Sequence, residues 1–223
     1  KEEKRLRVDN QPYGNLIKAV KENMFKVHPY RWTTIGEMEH LDAATLEEFQ
    51  AFNKKFYIPN NAVLVVAGDF KKDQAKKWIA QYFGTIPKGA PIKREQFIEE
   101  PITETIKARF EDNNIQIPAI VAAYRTPSMK TRDARVLDLI SSYLSDGKSS
   151  KLYKKIVDDK KIALQVGAFS NSQEDYGMYI LYGLPMGQNS PTDILKEIDE
   201  EITKLQTELI SEKDYQKLQN KFD

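Results

Sequence analysis

Cysteine is absent from these 223 residues, which excludes disulfides and thiolate metal ligands while leaving the redox compartment open. Histidine is almost absent too, with only His28 and His40. No apolar run approaches the ~20 residues of a membrane-spanning helix. Neither sign of charge is in excess: 34 Lys and Arg stand against 33 Asp and Glu, a formal net charge of +1. That balance removes the bulk signature of nucleic-acid or anionic-membrane binding. The lysine pairs Lys71-Lys72, Lys76-Lys77, Lys154-Lys155 and Lys160-Lys161 therefore read as solvated helix surfaces. A Walker-type loop, a dinucleotide glycine fingerprint and a Ser-His-Asp set are all missing. The length suits one large domain or two of about 100–120 residues, and a chain of this size can bury roughly 70% of its unfolded surface without staples. The charged KEEKRLR start and the helical pattern running into Asp223 read as cut ends, so the chain is expected to be a fragment.

What is present is a clear alternation of helical and extended patterns. Residues 1–26 read as helix, broken near Pro12, with Leu16, Ile17, Val20 and Met24 on one stripe. Thr45-Leu-Glu-Glu48 is a capping box that starts a helix with Leu46, Phe49, Phe52 and Phe56 on one face. Pro59-Asn60-Asn61 stops it. Ala62–Ala67 is a β-branched apolar run, expected as a buried strand under helices, and a helix over 71–83 follows. Trp32, Trp78 and the three phenylalanines are expected in the core.

Residues 84–101 carry Pro87, Pro91, Pro101, Gly84 and Gly89 without periodicity, the pattern of a linker. Beyond it the spacing predicts strands over 102–110 and 115–124, and helices over 131–144 and 149–160. A hairpin over 163–170 and 176–184 comes next. A long helix capped by Ser190 with Pro191 at its start follows, then a last helix from Ser211. The fold class expected is α+β: a layered sandwich of antiparallel-rich sheet with helices on one face.

The segment from Thr45 to Phe70, with its helix, Pro-Asn-Asn turn and apolar run ending in Gly68-Asp69, resembles insulinase/pitrilysin-type (inverzincin) zinc metallopeptidases of the mitochondrial-processing-peptidase-like branch. The His28-Pro29-Tyr30 loop and Leu144-Ser-Asp-Gly-Lys-Ser-Ser-Lys-Leu-Tyr153 resemble further pieces of that family in the same order. The resemblance implies two structurally similar domains, the first incomplete. Residues 1–84 would be the C-terminal part of the zinc-site domain, 85–101 a linker, and 102–223 a second, inactive peptidase-like domain.

It also implies zinc chemistry. Family members bind zinc through H-x-x-E-H, two histidine ligands around a glutamate base, and take a third ligand, a glutamate, from a following helix. From the residues alone, Glu2 and Glu3 are a solvated helix start. The resemblance places the third ligand on Glu2, with Glu3 as runner-up. H-x-x-E-H itself is absent, and His28 and His40 lack the i, i+4 spacing that puts two imidazoles on one helix face. The fragment alone is thus expected to hold no zinc tightly and to cleave nothing. Substrate-binding members of the family carry an arginine and a tyrosine that act on the substrate carbonyl. Those positions are Val157 and Leu164 here, and neither side chain can donate a hydrogen bond. The implied partners are a peptide substrate, bound as an added strand in a clamshell chamber, and a second family subunit or domain with the Arg and Tyr. The alternative is a non-catalytic structural or assembly subunit of the same fold, or an α/β interaction module unrelated to peptidases. A bacterial periplasmic or envelope location is what the family suggests.

Overall fold

A computed structural model describes residues 1–222. The chain begins with α1 (Glu2–Lys4), which continues at π-helical pitch over Arg5–Asp9. It turns through 10–15, with Tyr13 at φ 61°, into α2 (Leu16–Met24). Two short helices, α3 (Met38–Ala43) and α4 (Leu46–Phe56), and then α5 (Lys72–Phe83) complete the first part. The Thr45 capping box forms as its sequence dictates: the hydroxyl accepts from Glu48 N–H and the Glu48 carboxylate from Thr45 N–H.

The sheet lies in the second part. Strands β1 (Ile120–Thr126), β2 (Ala163–Asn171) and β3 (Gly177–Pro185) form one antiparallel sheet in the order β1-β3-β2. Helices α6 (Arg132–Ser145), α7 (Pro191–Thr207) and α8 (Glu212–Phe222), with a π-helical stretch over Tyr153–Asp159, accompany it. The architecture is α+β. Alternation along β3 divides its side chains between two cores. Tyr179 and Leu181 join Leu144, Leu152, Ile156, Ile194 and Ile198 under α6 and α7. Met178 and Ile180 point the other way, onto Met24 and Phe25 at the end of α2. Helices therefore cover both faces of the sheet rather than one, and the second cover comes from the first part of the chain. Gly183 faces Ile194, where any Cβ would overlap the isoleucine side chain, so α7 seats closely on β3.

Several expectations are corrected. Residues 62–67 form no strand; the segment is extended but unpaired, and Val63 is 90% exposed. Leu46, Phe49, Phe52, Trp32 and Trp78 are exposed rather than core. Residues 102–110 make no strand, and the one expected over 115–124 runs instead over Ile120–Thr126. The misplaced strands share one cause. Period and propensity report what a segment would bury, but a strand exists only where another strand supplies its hydrogen bonds.

Candidate functional site

The acidic helix start carries Glu2 and Glu3, the residues expected as third metal ligand. Glu2 opens α1 with its side chain 76% exposed and pairs with Arg5, while Glu3 pairs with Arg7 at 3.3 Å. Their base is firm. The Lys4 ammonium is buried and lies 3.6 Å from both Asp9 and Glu37. Glu37 also accepts from Lys18 at 2.8 Å. The Lys18 contact holds the Glu37 carboxyl below the ordinary range and raises Lys18 in return. Helix α1 is thus tied to α2 by alternating charges, and its acidic end faces solvent. The π-helical pitch that follows is of a kind found frequently at functional sites.

A zinc site needs three convergent donors, and the described residues bring no group of three or more His, Cys, Asp and Glu into such an arrangement. His28 is committed elsewhere. Its ring is buried, Nδ1 accepts from Tyr30 N–H at 3.1 Å, and Nε2 therefore carries the hydrogen and lies 3.3 Å from Asp175. His40 sits exposed on α3. One glutamate without its histidines does not make a zinc centre, so these residues by themselves do not fit the metal.

The Arg and Tyr positions lie beside the edge strand of the sheet. Val157 is in the π-helical stretch and packs against the α6–α7 core. Leu164 is 51% exposed at a β-bulge, standing between the pairs Ala163–Pro185 and Gln165–Leu184. A bulge re-aims the side chain it carries, and here that side chain is apolar. Among the described residues, one π-helical stretch directly follows Glu2–Lys4 and the other contains Val157.

Residues 43–222 match the family described as "Peptidase M16 inactive domain". The chain belongs to the peptidase M16 family. The match runs through 84–101 without a break. Among M16-related proteins, the chain is 28% identical over 184 residues to the zinc protease PqqE of Helicobacter pylori, covering 80% of this chain and 41% of that protein. The crystal structure of a protease from Helicobacter pylori superposes with a TM-score of 0.87 at 26% identity, covering 97% of this chain and 53% of the other. A chain of Complex III2 from Candida albicans shares the fold at TM-score 0.77 and 18% identity, over 96% of this chain and 52% of that one. The chain therefore spans about half the length, or less, of these similar proteins.

Sequence reading missed one polar cluster altogether. Glu99, in the segment read as a linker, is buried with Arg125 beside His28 and Asp175. Nothing in the run Glu95–Glu100 separates Glu99 from its solvated neighbours, because a carboxylate has no periodicity of its own.

Proposed function

We propose that this chain is part of a zinc-dependent metalloendopeptidase that hydrolyses peptides or oligopeptides in a clamshell chamber. Residues 1–84 would complete the zinc-site domain, 85–101 would join the halves, and 102–223 would be the inactive wall. The observation that carries this reading is the uncovered apolar surface of the first part. Between Phe25 and Ala134 the only buried apolar residue among those described is Ile58. Leu46, Phe49 and Phe52 on α4, the unpaired segment Val63–Val66, and Trp78 and Tyr82 on α5 all face outward. An apolar surface of that extent marks an interface, and an unpaired extended segment calls for a strand partner. A polypeptide carrying the histidines and the general base would supply both. M16 relatives twice as long give the reading its context.

In this scheme Glu2 is the chain's contribution to the metal, with Glu3 as runner-up, and α1 presents it on a charge-braced base. Val157 and Leu164 leave substrate polarisation to a second family subunit or domain. Peptide would add as a strand along a sheet edge. Peptide hydrolysis by the full-length protein tests the scheme, measured alone and after mixing with a family subunit that has the Arg and Tyr. Cleavage that appears on mixing supports it. No cleavage from a stable complex of the two favours the second reading, a non-catalytic assembly subunit, to which Val157, Leu164 and the shared fold of the Complex III2 chain point.

A further inference from the structure

Residues 84–101 have the composition of a flexible linker, yet the segment is fastened at two places. Near its start, Asn60 of the Pro-Asn-Asn turn exchanges two hydrogen bonds with the Gly89 backbone, donating to its carbonyl at 3.2 Å and accepting from its N–H at 3.0 Å. Gly89 lies so close to Ile58 that a Cβ would be 2.6 Å from its side chain, and Ile58 is the one buried apolar residue between Phe25 and Ala134 among those described.

Near its end, Glu99 has a side chain only 2% exposed. Its Oε1 accepts from three successive backbone N–H groups, those of Lys26, Val27 and His28, at 2.8, 2.8 and 2.7 Å. Its Oε2 lies 3.3 Å from the Arg125 guanidinium, which also donates to the carbonyls of Met24 and Glu100. The Glu99 N–H donates to the Tyr176 hydroxyl at 3.0 Å. Rings of Phe25, Tyr30, Phe97 and Tyr176 surround His28, and Arg125 stacks 5.5 Å over Tyr176.

One carboxylate thus joins three regions distant in sequence: the His-Pro-Tyr loop, the 85–101 segment, and strand β1 with the β2–β3 hairpin. A buried carboxylate is costly unless every lone pair is met. Here the three N–H groups sit outside any helix or strand and have this carboxylate as their acceptor, so each side depends on the other. A flexible linker would bury no such group.

We propose that residues 85–101 form a strap, closed at Gly89 and locked at Glu99, that fixes the first part of the chain against the sheet. Glu99 acts here as a positioning residue, and its site is a joint rather than a pocket. The inference is independent of the peptidase reading, because it concerns relative placement and not chemistry.

Hydrogen exchange of the Lys26, Val27 and His28 amides in the full-length protein reads the lock directly. In Glu99→Ala these amides are expected to exchange at least about tenfold faster, the loss of charge-assisted bonds, while β3 amides hold their rates. Glu99→Gln, which keeps an acceptor, retains part of the protection. Glu95→Ala, a solvated neighbour, leaves it unchanged. The second readout uses spin labels at Lys54→Cys on α4 and Lys196→Cys on α7, both exposed, with any cysteine outside these 223 residues replaced, to report the distance between the two parts. A single narrow distance that broadens in Glu99→Ala or in Arg125→Lys supports the strap. Unaltered amide exchange in Glu99→Ala, or an unaltered narrow distance in both folded variants, overturns it.

Discussion

Two residues in the core under α6 and α7 show how single atoms decide stability here. Gly183 on β3 faces the fully buried Ile194 of α7, and an added methyl would overlap the isoleucine side chain. Gly183→Ala is expected to destabilise by about 1–3 kcal/mol, the usual penalty for overpacking, read as a lower midpoint in urea with an unchanged slope. Tyr179 on the same strand presents the opposite case. Its hydroxyl is buried with no hydrogen bond of good geometry, although Ser141, whose own hydrogen goes to the Leu137 carbonyl, lies nearby. Burial pushes the phenol up to about 12. Removing an unsatisfied hydroxyl costs nothing, so Tyr179→Phe should be neutral or stabilising by up to about 1 kcal/mol. A clear loss of stability in Tyr179→Phe would mean that the hydroxyl has a partner after all.

At the scale of elements, the π-helical stretch and α7 are held together by charge. Lys155 lies between Glu197, Glu200 and Glu201 at 3.0, 2.9 and 3.1 Å, and Lys160 and Lys204 pair with Glu197 and Glu201 from either side. Burial alone would raise the Glu197 and Glu201 carboxyls. The lysines outweigh it and leave both below the ordinary value of 4.5, while Lys155 is raised. A depressed carboxyl contributes stability that is present above its unfolded pKa and lost as pH falls through the folded one. Thermal stability is therefore expected to drop below about pH 4.5, and Lys155→Met should flatten that dependence while lowering stability at neutral pH. An acid slope identical in the two proteins would remove this cluster from the account.

Much of this element structure was legible in the residues: the Thr45 and Ser190 caps, Pro191, the β2–β3 hairpin and the broken first helix all form where the sequence places them. Caps and hairpins are short-range devices and need no distant partner. The segments 62–67 and 102–110 have the composition of strands without a ladder to join, and Glu99 is buried by geometry that no local pattern encodes. The candidate ligand Glu2 was legible only through the family resemblance, because its own neighbourhood is an ordinary charged helix start.

For the molecule as a whole, the distribution of buried surface is the informative quantity. The second part has two cores on one sheet, whereas the first part has an apolar surface and almost no core. If that surface is covered in the full-length protein, Val63→Lys and Phe49→Lys should each cost about 2–4 kcal/mol there, as a buried apolar residue replaced by a charge does. If it faces water, each change stays within about 0.5 kcal/mol. The comparison separates an interface from a merely oily surface without identifying what covers it.

In the function proposed above, this chain lends one ligand to a zinc centre completed by other residues of an M16 metallopeptidase. Bound zinc per chain in the full-length protein, with and without Glu2→Gln, tests it most directly. Close to one zinc is expected in the wild type, lost in Glu2→Gln and kept in Glu3→Gln. The reverse pattern moves the ligand to Glu3. A folded wild-type protein that holds no zinc would contradict the metallopeptidase reading and leave the assembly subunit in its place.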